Sequence, residues 1–343
     1  MIVAKKEKNK LFILESENDR ASIFLNQYNT IKLIVVNESS NIGDLKNKKN
    51  RKCRFCDKDS TETTFNNKAH SIPHFLGNNS LFNDFECDQC NSIFSRYETD
   101  LAEYFKVHRT IYGTKGKKGV PKIETDNKAK RISQDNAGVI SFIDKEIPVN
   151  PNGINFSIKK TYTPINVYKA LVKIALSLLE DKDFKYYKVF VRLYLLEDKN
   201  DSEIFPLAKI GLYELCRENK VDELRCVLFQ KKVDTDIPFH IFSLYYENII
   251  LTFPLPLHSY DFTKGYYSAM KVQLPPLLAF SPLDEKSKVK FEQLDLGLGT
   301  KVTKNDNIEV AFDVDEMRKA IEKQLGCKPS KKIAIDAFSI KLN

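Results

Sequence analysis

The spacing of hydrophobic residues in this 343-residue chain changes from helical to alternating along its length. Two segments have helical spacing. Apolar residues recur every three or four positions in the first, at Ile93, Phe94, Tyr97, Leu101, Tyr104 and Phe105, which predicts one helix across 91–112. The second segment, "TYTPINVYKALVKIALSLLED", is the clearest helix in the chain, because Thr163 suits the N-cap and Pro164 the first helical position.

Other segments have the composition of strands. Near the N-terminus, "KLFILES" and "TIKLIVV" predict a hairpin or the edge of a sheet shared with later segments. Residues 204–282 carry four further β-rich runs, with a hairpin predicted around "YENI". The run "YYKVFVRLYLL" is compatible with helix or strand, and "DVDEMRKAIEKQLG" predicts a short helix that ends at Gly326.

These patterns predict an α+β protein with antiparallel strands. We expect a cysteine-containing module at 46–112, a basic linker region at 113–153 and a larger α+β domain at 154–343. The N-terminal strands of residues 1–45 are expected to pack on the larger domain. Motifs that would define a role for that domain are absent from its sequence.

Composition restricts the function classes. Lys and Arg number 54 against 46 Asp and Glu, a formal net charge of +8, which fits a polyanionic partner. Neither a Walker A nor a GxGxxG pattern occurs. No apolar run approaches the roughly 18 residues that span a bilayer, and the N-terminus has no signal-peptide pattern. We therefore expect a cytoplasmic protein without membrane attachment.

Four of the seven cysteines form two CxxC pairs, with the spacing C-x2-C-x30-C-x2-C. Two such pairs place four thiolates around one tetrahedral ion, so we predict structural zinc at Cys53, Cys56, Cys87 and Cys90. The competing interpretation is two redox motifs or free thiols. The remaining cysteines, Cys216, Cys226 and Cys327, are expected to be free thiols.

Between the cysteine pairs lies "AHSIPHFLGN", and the second pair continues as "CDQCN". Together these segments resemble the HNH endonuclease family, in its cysteine-framed ββα-metal branch. The resemblance covers about residues 51–105 and is carried by the four cysteines and by His70, Ile72, Pro73, Gly77 and Asn91. It implies a two-stranded hairpin and a helix that hold a catalytic metal, with zinc knuckles at the ends.

The resemblance also implies roles for single residues. His70 is expected to be the general base that activates water for attack on a phosphodiester. Asn91 is expected to begin the helix and to ligate one Mg²⁺ or Mn²⁺ ion, which would polarise the phosphate and stabilise the leaving 3′ oxygen. The middle Asn of the family pattern, which orients the base through the loop, corresponds to Asn83 or Asn79, and Asn83 is preferred.

One position departs from the family pattern. The residue before the base is usually an acidic or His metal ligand, but here it is Ala69. Glu98 is the expected replacement, because it lies seven residues after Asn91 on the same helical face. Asp100 and His74 are less favoured. If no group replaces the ligand, metal binding is weak or catalysis is lost.

Basic residues flank the module. Lys52 and Arg54 lie near its start, beside Cys53, and Lys115, Lys117 and Lys118 follow it, so we expect all five to contact nucleic-acid phosphates. The expected activity is metal-dependent endonucleolytic hydrolysis of DNA, with RNA not excluded, in restriction or anti-phage defence. A single site cuts one strand, so double-strand cleavage requires a homodimer or two visits. The alternatives are an inactive zinc-dependent nucleic-acid-binding protein and a protein-interaction zinc scaffold.

Overall fold

A computed structural model describes most of the chain. The described residues are 18–36, 51–124, 130–135, 139–144, 154–197, 207–216, 224–232, 237–263, 275–279, 288–310 and 337–341. Within these ranges, no helix is long and apolar enough to cross a membrane.

Helices and antiparallel strands are both abundant, which confirms the predicted α+β class. The α-helices are α1 (Asn18–Gln27), α2 (Asp88–Tyr104), α3 (Lys106–Ile111), α4 (Pro164–Leu178), α5 (Asp181–Phe184), α6 (Lys188–Phe190) and α7 (Ser259–Thr263). Short 3₁₀ segments occupy His74–Leu76 and Lys185–Tyr187, and a π-helical segment occupies Val191–Leu196. The strands are β1 (Tyr28–Val36), β2 (Ile123–Glu124), β3 (Lys130–Gln134), β4 (Val139–Asp144), β5 (Ile154–Tyr162), β6 (Lys209–Cys216), β7 (Leu224–Lys231), β8 (His240–Tyr246), β9 (Ile249–Pro254), β10 (Lys288–Asp295), β11 (Val302–Val310) and β12 (Ala337–Lys341).

Contacts divide the chain into two units. The first unit comprises Met1–Leu101 and Thr163–Thr300, and the second comprises Ala102–Tyr162 and Lys301–Asn343. The second unit contains the antiparallel pair β11–β5 and a four-stranded antiparallel sheet of order β12-β4-β3-β2. In this unit, the ammonium of Lys160 donates to the carbonyl oxygen of Tyr104 at 3.2 Å, which ties β5 to the end of α2.

The first unit is built on a six-stranded antiparallel sheet of order β1-β7-β8-β9-β6-β10. Helix α1 packs on it through Phe24, whose ring stacks on Tyr28 at 4.7 Å between centroids and meets Phe229 edge-on at 5.1 Å. Every residue of β8 and β9 is buried. These central strands are therefore covered on both faces, which explains why their sequences are largely apolar rather than alternating.

Helix α4 is the central helix of the first unit. Fourteen of its residues are buried, all except Asn166. A helix buried around its whole circumference must pack on two sides. One side faces the sheet, where the ring of Tyr168 lies 5.8 Å from that of Phe253. The other side contacts the cysteine module, as described below.

Most of the predicted elements are confirmed. "TIKLIVV" lies in β1 at the edge of the six-stranded sheet, β8 and β9 form the hairpin around "YENI", and α4 begins at Pro164. The ambiguous run at 186–196 is helical. "KLFILES" and the predicted helix that ends at Gly326 lie outside the described residues.

The structure differs from the predicted pattern at two points. The helix predicted across 91–112 is interrupted at Phe105, which separates α2 from α3. The region 113–153 contains β2, β3 and β4 in addition to loop, because alternating positions such as Ile123, Ile132 and Ile140 are buried in their sheet. The dense lysines of this region conceal that alternation.

Candidate metal centre and nuclease site

The four cysteines of the two CxxC pairs lie at one point in the structure. The first pair sits on a tight turn in which the Asp57 amide donates to the Cys53 carbonyl at 2.9 Å, with Asp57 at a positive φ of 62°. In the second pair, Cys87 directly precedes α2 and Cys90 lies in its first turn. The Cys87 amide donates to the sulfur of Cys53 at 3.5 Å, and the Cys90 amide to the sulfur of Cys87 at 3.5 Å.

The distances between the sulfur atoms fit zinc. The four sulfurs all lie within 4.8 Å of one another, and Cys53–Cys90 and Cys56–Cys87 are each separated by 3.7 Å. Tetrahedral zinc with Zn–S bonds of about 2.3 Å requires a sulfur–sulfur separation of about 3.8 Å. The donor set and its geometry therefore match a closed Cys₄ structural zinc site.

The close approach of the four sulfurs also shifts the pKa values of the thiols. A hydrogen bond from Cys90 lowers the pKa of Cys53 to about 5, whereas burial raises the pKa of Cys56 to about 11. Interaction with Cys53 also raises the pKa of Cys90. A bound divalent cation would hold all four sulfurs as thiolates.

The predicted base, His70, lies on a short β-hairpin between the two cysteine pairs. His70 forms an antiparallel bridge with Phe82. On either side of it, the Asn83 amide donates to the Ala69 carbonyl at 2.8 Å and the Ser71 amide to the Leu81 carbonyl at 3.1 Å. The imidazole is partly exposed and has the rings of Phe82 and His74 beside it, at 4.8 and 5.6 Å between centroids.

The loop of this hairpin is organised by Asn78, a residue that the sequence analysis did not select. Asn78 is fully buried, and its carboxamide oxygen accepts from the amides of Ser80 and Leu81 at 3.1 and 2.8 Å. Its amide nitrogen donates to the carbonyls of Ile72 and Leu81. The sequence signal for this role is the Gly77–Asn78 pair, which is typical of an Asx turn. In the structure, Gly77 has a φ of 95°.

The structure gives the two Asn candidates of the sequence analysis different surroundings. Asn83 is buried, and its side chain donates to Glu86 at 3.2 Å. Asn79 is exposed in the loop. The loop of the His70 hairpin is thus tied by Asn78, while Asn83 contributes its backbone amide to the hairpin and its side chain to Glu86.

Helix α2 completes the ββα arrangement. Its first residue, Asp88, accepts from the amides of Asn66 and Asn67 at 3.0 and 2.9 Å, which fastens the helix start to the segment before the hairpin. Asn91 does not begin the helix but lies at its fourth residue, where its amide donates to the Cys87 carbonyl at 2.9 Å. Its side chain is partly exposed.

Glu98, the proposed replacement for the ligand missing at Ala69, forms an ion pair inside the structure. Its carboxylate lies 3.2 Å from the ammonium of Lys173, a buried residue of α4. The same ammonium lies 3.3 Å from the carboxylate of Glu86 and donates to the backbone carbonyl of His70 at 2.7 Å. Glu98 and the backbone of His70 are therefore joined through Lys173.

Burial and the neighbouring charges together set the pKa values of Glu86 and Lys173. Burial raises the pKa of Glu86 to about 7, with Glu98 adding to the rise and Lys173 opposing it. Burial alone would lower the pKa of Lys173, but the two carboxylates outweigh it and raise that pKa overall. Lys173 is therefore held in its charged form.

The other candidate ligands are placed as follows. Ala69 is buried beside the hairpin. Asp100 accepts from the side chain of Asn166 at 2.7 Å. Among the described residues, the four cysteines form the only group of three or more Cys, His, Asp or Glu side chains whose ligand atoms all lie within 4.8 Å of one another. A catalytic cation held by Asn91 and Glu98 would bind few protein atoms and more water, as Mg²⁺ commonly does.

The five predicted phosphate contacts differ in exposure. Lys52, Lys115, Lys117 and Lys118 are exposed. Arg54 is not: its guanidinium donates to the carbonyls of Ser177 and Leu179, at 3.0 and 2.8 Å, and so caps the C-terminal end of α4. This bond network, rather than a phosphate, satisfies most of the Arg54 side chain.

A cavity of about 320 Å³ opens beside the first cysteine pair. Four basic and two acidic residues line it, together with Cys53, Phe85 and Phe184; the charged residues are Lys52, Arg54, Lys185, Lys188, Asp57 and Asp181. The Lys188 ammonium donates to the Arg54 carbonyl at 2.8 Å and to the Asp57 carboxylate at 2.7 Å. The cavity is thus mildly basic, with most of its charges internally paired.

Two cysteine pairs that frame a short hairpin, followed by a helix from the second pair, define a ββα module of the zinc-stapled kind. Residues 53–105 match the family model described as HNH endonuclease. The resemblance seen in the sequence is therefore confirmed for this segment, which contains an HNH nuclease domain. Searches of curated proteins and of solved structures gave no match.

Proposed function

We propose that this protein is a metal-dependent endonuclease that hydrolyses phosphodiester bonds in DNA. The observation that carries the proposal is the placement of His70 on the hairpin of a segment that matches the HNH endonuclease family. His70 as a residue is partly exposed, although its Nδ1 is buried, and the backbone on either side is fixed by the hairpin. RNA is the alternative substrate.

In this proposal, His70 takes a proton from the attacking water, the step for which an imidazole near neutral pH is suited. Asn91 and Glu98 would hold one Mg²⁺ or Mn²⁺ ion, which supplies charge stabilisation at the phosphate and the leaving 3′ oxygen. The expected products carry 5′-phosphate and 3′-hydroxyl ends. The four cysteines would hold zinc and keep the hairpin and helix in register.

Exposed lysines would bind the nucleic-acid backbone. Lys52, Lys115, Lys117 and Lys118 fit this part of the proposal by exposure. Such contacts neutralise phosphates and carry no sequence information, so binding should weaken steeply with salt. Arg54 is left out of this set because its guanidinium is bound to α4. We further propose a cytoplasmic role in restriction or anti-phage defence, with a homodimer for double-strand cleavage.

A zinc-dependent nucleic-acid-binding protein without catalysis is the second candidate. Two observations favour it: Ala69 offers no ligand at the usual acidic position, and the carboxylate of Glu98 is paired with Lys173. In that case the lysines would still bind nucleic acid, but the cation site beside His70 would be incomplete.

The test is nicking of supercoiled plasmid with Mg²⁺ or Mn²⁺ by the wild type, His70→Ala and His108→Ala, with zinc content measured in each. Loss of a general base lowers the rate roughly 100- to 10,000-fold, so we expect His70→Ala to lose cleavage while it retains zinc. His108 lies in α3, outside the matched segment, so His108→Ala should cleave normally. Salt-dependent binding without cleavage by zinc-loaded wild type would instead support the binding protein.

A further inference from the structure

Lys173 connects the part of the chain outside the matched segment to the backbone of the proposed base. It belongs to α4 and is 103 residues from His70 in sequence, yet its ammonium donates to the His70 carbonyl at 2.7 Å. The residue is 1% exposed. The matched segment ends at residue 105, so this contact is made by a helix that the family model does not cover.

A buried ammonium is costly unless its hydrogen bonds and its charge are satisfied. Here the three partners of the ammonium, two carboxylates and one backbone carbonyl, all belong to the cysteine module. Glu86 lies directly before the second cysteine pair, Glu98 lies in α2, and the carbonyl of His70 lies on the hairpin. The ammonium therefore joins the hairpin, the helix start and the middle of α2 at one point.

The geometry of the hairpin explains why the His70 carbonyl needs such a partner. The hydrogen bonds of the hairpin are made by the residues on either side of His70, at Ala69 and Ser71. In this pattern, the carbonyl of the central residue points away from the opposite strand. Lys173 occupies the outward side and donates to the carbonyl that the hairpin leaves available.

Fixing this carbonyl fixes the peptide plane that follows His70, and with it the direction in which the imidazole leaves the backbone. Displacement of a reacting group by about 1 Å can lower a rate roughly 100-fold. The hairpin fixes the residues on either side of His70, and Lys173 adds a bond to the carbonyl of His70 itself. The tether therefore acts where small movement would affect the reaction most.

We propose that Lys173 is a positioning residue of the nuclease site, which holds the backbone of His70 in the orientation that the base requires. This inference rests on the proposed endonuclease function. It also gives the region after the linker a role, because α4 supplies a part of the site that the HNH domain lacks. The HNH domain alone would then contain every reacting group and still be a poor nuclease.

Another lysine of α4 provides a matched control. Lys169 lies one turn earlier, is also buried, and places its ammonium over the ring of Tyr97 at 5.4 Å. Lys169→Met and Lys173→Met both remove a buried ammonium from the same helix. A general effect of that removal on stability should appear in both variants.

Lys173→Met leaves Glu86 buried without its cation, so the single variant risks unfolding. The double variant Lys173→Met/Glu86→Gln avoids this charge and keeps an acceptor for Asn83. The experiment compares the double variant with Glu86→Gln alone, and Lys169→Met with wild type. Single-turnover rates at saturating plasmid, DNA affinity, the pH–rate profile, zinc content and melting temperature are measured for each.

We expect the double variant to cleave 10- to 100-fold more slowly than Glu86→Gln at saturating DNA. DNA affinity and zinc content should be unchanged, and the limb of the pH–rate profile assigned to His70 should be altered. Lys169→Met should keep the wild-type rate and profile. A lysine that only stabilises the fold would instead lower the melting temperature without moving the profile of the folded enzyme.

Equal rates for the folded double variant and Glu86→Gln would overturn the positioning role of Lys173, while the proposed endonuclease function would remain supported. Loss of zinc and of a cooperative melt in both Lys173 variants would also count against it, since Lys173 would then be structural. If zinc-loaded wild type does not cleave at all, the proposed function fails and this inference falls with it.

Discussion

Truncation of a single cysteine tests the zinc site most directly. We compare Cys53→Ala with Cys226→Ala, because the two cysteines are 0% and 1% exposed and each substitution removes one sulfur atom. Cys226 lies in β7, outside the cysteine cluster. The loss of packing is therefore matched, and each truncation costs about 1 kcal/mol for one buried heavy atom.

The excess cost of Cys53→Ala comes from the lost ligand. Structural zinc contributes about 10–16 kcal/mol in small zinc domains, so an equal share among four ligands is about 2.5–4 kcal/mol. In domains of 150–250 residues, each kcal/mol shifts the melting temperature by about 2–4 °C. Cys53→Ala should therefore melt roughly 5–16 °C below Cys226→Ala.

The assay combines thermal unfolding by circular dichroism with zinc quantification by a chromogenic chelator. We expect one zinc per chain in wild type and Cys226→Ala, and loss of zinc or much weaker retention in Cys53→Ala. Similar melting temperatures for the two variants, with equal zinc, would refute the argument from the sulfur geometry. So would a wild type that is isolated folded and free of metal.

Two other predictions concern stability. Phe94 is 1% exposed, so Phe94→Ala should lower the free energy of unfolding by about 3–5 kcal/mol. Phe85 is half-exposed, so Phe85→Ala should change it by no more than about 0.5 kcal/mol. Similar urea midpoints for the two variants would contradict the burial of α2. Burial lowers the pKa of His240 to about 3. Below about pH 6.5, the unfolded chain therefore binds a proton at His240 that the folded chain does not bind. The free energy of unfolding should then fall as the pH is lowered. His240→Gln, which keeps an acceptor for the hydroxyl of Tyr187, should reduce the loss between pH 6.5 and pH 4 by about 3 kcal/mol, as measured by urea unfolding. Asp261, whose pKa burial raises to about 6, opposes this slope equally in both proteins, so an unchanged slope in the variant would show that His240 is not the cause.

The parts of the site with local spacing rules were predictable from sequence. The two CxxC pairs predicted one four-cysteine metal site, and the convergence of their sulfurs is confirmed. The start of α4 followed from Pro164, which suits the first helical position; Thr163 lies at the N-cap but its side chain makes no capping hydrogen bond. The resemblance to HNH endonucleases followed from residues between the cysteine pairs, and the match at 53–105 confirms it.

The contacts that bring α4 to the module were not predictable. Lys173 appears in the sequence as one of two lysines on an apolar helix, which suggests a solvated position rather than a buried one. Its burial depends on Glu86 and Glu98, which are distant in sequence and become neighbours only when the helix packs on the module. Arg54 likewise reads as part of a basic run, and only the structure shows that it caps α4.

The long separation of these contacts has a consequence for synthesis of the chain on the ribosome. His70 and Lys173 are 103 residues apart, and Arg54 and Leu179 are 125 apart. At about 5–20 residues per second, the cysteine module emerges roughly 5–25 s before α4. During that interval the nascent module can take up zinc, but its hairpin has no tether from α4. A nascent or truncated chain would therefore lack the contact with α4 that we propose positions His70.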